Sequence, residues 1–187
     1  MDALVEHEVL KDCFPSLGSQ FTLQGELHVE FGPGNVVAMG NELTPTEAKT
    51  APLHVIYTPN EDLDTGASYC LVVTDPDAPS RSDPRLSEIC HAVQTGIRFT
   101  SPQGGAITGG DHVLPYIGPG PPKGTGLHRY VFLLFKELKT DHTQFTSIAD
   151  RYYWGYGEKC RGAERWAAEN NLELLSVNFF QSQNESN

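Results

Sequence analysis

The sequence predicts a mainly β protein, an antiparallel β-sandwich with a few short peripheral helices. Short runs with alternating or wholly apolar character recur along the chain, separated by Pro- and Gly-based turn chemistry. Only two stretches have helical periodicity. Two of the runs, Tyr69-Cys70-Leu71-Val72-Val73-Thr74 and Tyr130-Val131-Phe132-Leu133-Leu134-Phe135, are apolar on both faces and are therefore expected at the centre of a sheet.

Residues 1–20 form an N-terminal extension. Leu4, Val5, Val9, Leu10, Cys13 and Phe14 lie on one side of a short helix that Pro15 to Ser19 then break. The segment either packs on the domain or reaches toward a partner, and sequence does not choose. From 21 to 187 a single domain follows. In Phe21–Phe31 the odd positions Phe21, Leu23, Leu27, Val29 and Phe31 alternate with polar residues. That pattern describes a half-buried strand with Gly25 as a candidate bulge. Shorter strands are expected at Val36–Met39, Leu53–Tyr57, Tyr69–Thr74, His91–Thr95 and Tyr130–Lys136. Gly162–Asn170 carries Ala163, Trp166 and Ala167 at helical spacing, with Arg161, Glu164 and Arg165 outward and Asn170-Asn171 as the stop. Leu172–Phe180 returns to extended character.

The chain has 187 residues, enough for one domain with a real core, and a formal net charge of -11. That charge argues against nucleic acid and limits contact with an anionic membrane to a transient one. Any phosphate must be caught by a local pocket, because the global field repels it. No run is long and apolar enough to span a bilayer, and no leader pattern opens the chain, so a cytoplasmic address is expected, with association with a vacuole or membrane left open. Cys13, Cys70, Cys90 and Cys160 lack paired spacing, and Cys70 reads as a buried reduced thiol.

The chemistry concentrates in two stretches. Asp75-Pro76-Asp77-Ala78-Pro79-Ser80-Arg81 follows the first central strand, and its prolines hold Asp75 and Ala78 extended, so two carboxylates stand on a stiff loop at a strand end. Gly118 to Gly126, a Pro/Gly-dense loop with Lys123, leads into His128-Arg129-Tyr130. His128 and Tyr130 are two apart on a strand and share a face. Glycine-rich backbone can cradle an anion with its N–H groups, and carboxylates beside imidazoles favour the protonated rings, which become charge-assisted donors. The same aspartates could accept from an ammonium. His7, His28, His54, His112 and His142 are expected to be structural.

Together, Thr74 through Arg81 with Asp83-Pro84, then His91, then Gly120-Pro121-Pro122-Lys123-Gly124-Thr125-Gly126-Leu127-His128-Arg129-Tyr130, resemble the phosphatidylethanolamine-binding protein family. The resemblance runs from about Phe21 to Gln181. The closing Asn178-Phe179-Phe180-Gln181 looks most like the fungal carboxypeptidase Y inhibitor members, with the Raf kinase inhibitor-like members also similar. It implies a sandwich with Greek-key connections and a small pocket for an anionic headgroup, phosphate or phosphoethanolamine. Asp75, Asp77, Pro79, His91, Gly118, Gly120, Pro122, His128 and Tyr130 match its ligand-binding positions. Leu86, Ile89 and Cys90 depart from the aromatic and second-histidine pattern of animal members.

The resemblance further implies a non-enzymatic regulator that inhibits a serine carboxypeptidase, or acts on a kinase or Ras pathway, by protein contact. It implies no catalytic residue, metal or cofactor. The alternative from the residues alone is a hydrolase using the paired carboxylates and histidines, with or without a metal. Neither His-Glu-x-x-His nor Gly-x-Ser-x-Gly occurs, and Cys90 beside His91 points to the opposite strand face. Lipid transport is a third reading, opposed by the charge and by the lack of any sign of an acyl tunnel.

Overall fold

The structure is a computed structural model that describes residues 1–139, 141, 144–158 and 162–187; Cys160, His142 and Arg161 lie outside the described residues. Two antiparallel sheets carry the fold, as the strand pattern predicts. The smaller has β1 (Gly25–Glu30), β2 (His54–Pro59) and β5 (Gly105–Ala106) in the order β1-β2-β5. The larger has β3 (Ser68–Asp75), β4 (Ile89–Ile97), β6 (Asp111–Leu114), β7 (His128–Glu137) and β8 (Leu172–Ser182) in the order β6-β4-β3-β7-β8. Strands β3, β4 and β6 lie side by side, and β7 then returns to pair with β3. This is the Greek-key order.

The central placement of β3 and β7 explains their composition. Tyr69, Leu71 and Val73, with Tyr130, Phe132 and Leu134, face the smaller sheet and meet Leu27, Val29 and Tyr57 in one core. The alternate residues Cys70 and Val72, with Val131, Leu133 and Phe135, face away into a second core. A strand buried on both sides cannot alternate apolar with polar residues, which is why both runs are continuous.

The second core is closed by helices. These are α1 (Asp2–Glu6), α2 (Val9–Cys13) and α3 (Ala163–Glu169), which contribute Leu4, Val9, Leu10, Cys13, Ala163, Trp166 and Ala167. Residues 1–14 thus pack on the domain and complete one of its two cores. Of the apolar residues expected on the buried side, Val5 is the exception: it is 66% exposed.

Two local expectations are corrected. Val36–Met39 is not a strand: it makes one isolated bridge, Glu30 to Val36, and lends the Val37 amide to the Val29 carbonyl. Gly25 is no bulge, since β1 and β2 stay in register through the pair Gly25–Pro59. It is glycine because a Cβ there would stand 2.6 Å from both the Thr58 carbonyl oxygen and the Tyr57 ring. The strand over the first half of 21–31 is also shorter than expected, beginning at Gly25, although the predicted burial of Phe21, Leu27, Val29 and Phe31 holds.

Candidate functional site

Asp75 ends β3 and His128 begins the neighbouring β7, so antiparallel pairing brings both to one end of the large sheet. His128 Nδ1 lies 3.0 Å from Asp75 Oδ2, and Nε2 lies 3.0 Å from the Thr125 hydroxyl. That hydroxyl donates to the Pro122 carbonyl at 2.7 Å, which leaves its oxygen to accept from His128 Nε2–H. This arrangement suits a ring protonated on both nitrogens. Burial pulls the pKa of this ring down, but the hydrogen bond and charge of Asp75, aided by Asp77 and the Pro79 carbonyl, outweigh it and hold the pKa above its usual value.

Tyr130 follows on the same face, its ring nearly parallel to His128 at 6.4 Å and stacked on Phe180 at 5.2 Å. The Gly120 amide donates toward its phenol oxygen. His91, near the start of β4, meets the Tyr130 ring edge-on at 5.1 Å. His91 Nδ1–H donates to the Ile117 carbonyl at 2.8 Å. Burial holds the His91 pKa below its usual value, with Asp75 opposing and Arg151 assisting. This ring is neutral, and its Nε2 is a bare acceptor. The cup thus has one imidazole whose surroundings favour the charged form and one whose burial disfavours it, where the sequence predicts two cations.

Of the predicted residues, Asp75, Pro79, His91, Gly120, Pro122, His128 and Tyr130 gather at this cup. Pro122 and Gly120 form its exposed lip, and a Cβ on Gly120 would meet open space. Gly118 serves another purpose. A Cβ there would come within 2.7 Å of the Lys49 carbonyl oxygen, so it is glycine to let two backbones pass.

Asp77 does not join the cup. Its amide donates to Asp75 Oδ1 at 2.7 Å, but its carboxylate takes Arg129 in a two-pronged pair, Nε to Oδ2 at 2.8 Å and Nη2 to Oδ1 at 2.6 Å. Arg129 is the residue between His128 and Tyr130, so it points to the other face of β7. There it also reaches Asp12 Oδ2 at 2.7 Å and the His7 carbonyl at 2.7 Å. Arg81 adds a second bond to the His7 carbonyl at 2.9 Å. Asp77 and Arg129 are both about 1% exposed, which makes them a buried clamp on the N-terminal segment. Strand alternation alone places Arg129 opposite its neighbours, and a guanidinium on a central strand must have a carboxylate partner. That signal was present in the sequence. Thr125 and Ile117, which fix the two histidines, carried no comparable signal.

Leu86 and Ile89 are half-buried and Cys90 is buried. Burial raises the Cys90 thiol pKa far above its usual value, so it is no nucleophile at neutral pH. Among the described residues no group of His, Cys, Asp or Glu has the geometry to hold a metal, and no helix is long and apolar enough to cross a membrane.

A family model described as phosphatidylethanolamine-binding protein matches residues 18–180. The chain belongs to the phosphatidylethanolamine-binding protein family. Among relatives of this family it is 38% identical to the carboxypeptidase Y inhibitor of Saccharomyces cerevisiae, over 96% of this chain and 93% of that protein. It superposes on a crystal structure of carboxypeptidase Y inhibitor complexed with the cognate proteinase with a TM-score of 0.91, at 37% identity, covering 98% of this chain and 94% of that one. A phosphatidylethanolamine-binding protein from Plasmodium falciparum gives a TM-score of 0.79 at 26% identity, with 98% and 96% covered.

Proposed function

We propose that this phosphatidylethanolamine-binding protein is a non-catalytic inhibitor of a serine carboxypeptidase, and that its cup takes a small anion such as phosphate or a phosphate-bearing headgroup. The observation that carries the inhibitory reading is the TM-score of 0.91 to a carboxypeptidase Y inhibitor seen with its proteinase. The chemistry of the cup agrees with a binding role. It offers the His128 Nε2–H, which an anion takes over from the Thr125 hydroxyl, the Tyr130 phenol O–H and a rigid aromatic floor, but no activated nucleophile.

Magnitude separates the two activities. A bare phosphate has about five heavy atoms, and the best tiny ligands gain about 1.5 kcal/mol per atom. That ceiling is near micromolar, and the charge of His128 is already half-spent on Asp75, so millimolar affinity is the realistic figure. Tight inhibition therefore comes from a larger surface. Residues 1–20 remain the proposed partner-binding segment, through what the packing leaves outside: Met1 is 40% and Val5 66% exposed.

The test is a titration of carboxypeptidase Y with the full chain, reading peptide hydrolysis. Stoichiometric loss of activity is expected, and Val5→Asp should weaken it without changing phosphate binding. Unchanged hydrolysis at about 10 μM chain, far above the Kd of a specific complex of this kind, would end the inhibitory reading.

A further inference from the structure

The central strands have a second end. Tyr69 and Lys136 are cross-strand partners there, at the opposite extreme of β3 and β7 from Asp75 and His128. A cavity of about 430 Å³ opens at this end, between β2, β3, β7, β8 and the 59–64 loop. Its lining carries four carboxylates, Glu61, Asp62, Asp64 and Glu173, against the single ammonium of Lys136. Asp62 accepts from Gln103 Nε2 at 3.2 Å and Asp64 from the Gly66 amide at 2.9 Å. The carboxylates of Glu61 and Glu173 have no hydrogen bond or ion pair among the described residues.

A second observation stands apart from the acidity. Tyr57 lines the same cavity, is 1% exposed, and its hydroxyl has no partner among the described residues. The adjacent Tyr69 hydroxyl is satisfied by the Asp64 carbonyl at 3.0 Å. Burial pushes the Tyr57 phenol up to about 12, with Tyr69 adding to it, so the group stays neutral and keeps a lone pair to offer. An orphaned buried hydroxyl is costly unless something fills the place of its missing partner.

We propose that this recess is a second binding site, separate from the anion cup, for an ammonium or guanidinium group on an aliphatic stem. Leu23, Leu63 and Leu175 provide apolar wall for the stem, and Glu61 and Glu173 provide charge for its head. The Tyr57 oxygen accepts one N–H of that head. A bare divalent ion does not fit, because the described carboxylates do not converge in metal-holding geometry. The chain supplies its own imitation of the ligand. Lys136 extends its stem along the recess and sets its ammonium 3.8 Å from Asp64 Oδ2, a loose pair that an incoming cation can displace.

The experiment is a titration of the isotopically labelled full chain, followed by amide NMR. One arm uses agmatine, one a blocked Gly-Arg-Gly peptide, and one the uncharged butylurea. Saturable shifts at residues 59–64, Lys136 and Glu173 are expected with the two cations and not with butylurea. Glu61→Gln with Glu173→Gln should lower the affinity about tenfold, Tyr57→Phe a few-fold, and Lys136→Met should raise it. Phosphate binding at the cup should be the same in all variants, so a failure here is distinct from a failure there. Tighter binding of agmatine identifies a free amine as the ligand type, and tighter binding of the peptide identifies a basic side chain of a partner. Absence of saturable shifts, equal binding of butylurea, or unchanged affinity in the double Gln variant would overturn the proposal.

Discussion

The two faces of β7 at its first three residues do different work. His128 and Tyr130 look into the sandwich end and build the cup, whereas Arg129 looks the other way and fastens the start of the chain. The Asp75-Pro76-Asp77 corner is divided in the same way: Asp75 serves the cup and Asp77 the clamp. What reads in sequence as one acidic site is two half-sites back to back, joined by the bond from the Asp77 amide to Asp75 and by the Arg129 amide, which donates to the Asp77 carboxylate. Carboxylates two residues apart need not share a duty, because the strand that receives them has two sides.

The largest effect that tests this division is removal of residues 1–14. Leu4, Val9, Leu10 and Phe14 are all buried. Each contributes about 1.5–3 kcal/mol on burial, so their sum rivals the total stability of a domain, about 5–15 kcal/mol. Urea unfolding should show loss of a cooperative transition. A truncated chain as stable as the full one would show that the segment is a detachable arm. It follows that a deletion cannot separate partner binding from headgroup binding, and surface substitutions such as Val5→Asp are needed instead.

Next in size is Asp77→Ala, which strands a buried guanidinium and should cost about 3–5 kcal/mol of stability. Sulfate binding at the cup should survive it at temperatures where the variant is folded. Lost anion binding with intact stability would return Asp77 to the cup and cancel the comparison.

A smaller effect is expected from His128→Ala, about 1.5–3 kcal/mol of sulfate affinity for one charge-assisted hydrogen bond, read by calorimetry. His91→Ala should cost less, because its ring is neutral and its donor is already given to Ile117.

The finest test is pH. The His128 pKa is raised in the folded chain, so its charge, and the affinity for an anion of fixed charge such as sulfate, is present at low pH and is lost as pH rises through that raised value. The stability that the Asp75–His128 pair contributes is lost in the same direction. One proton should accompany the change. A two-proton step would mean that His91 titrates with it, against its lowered pKa.

The large features of this molecule were legible because they follow from burial. Continuous apolar runs revealed β3 and β7, and alternation revealed the inward face of β1. Strands β5 and β6 were not legible. Gly105–Ala106 has almost no side chain to pattern, and Asp111–Leu114 is a mostly exposed edge held by backbone bonds to β4. At the candidate site, residue types and motif resemblance singled out Asp75, His91, His128 and Tyr130, which the fold brings together. They could not assign charge states, which depend on Thr125, Ile117 and Arg151, residues whose roles are set by loop geometry. They also merged Asp77 with Asp75, since adjacency in sequence hides which side of a sheet a carboxylate will serve.

The Arg129 clamp has a temporal consequence. Its bonds to His7 and Asp12 span separations of 122 and 117 residues, and the core above it needs Trp166, Val177 and Phe179. On the ribosome the first helical turns emerge long before the surface that will receive them exists. Until the last strand is synthesised, their leucines and phenylalanine have nowhere to go but solvent or a chaperone, and assembly must finish with its opening residues.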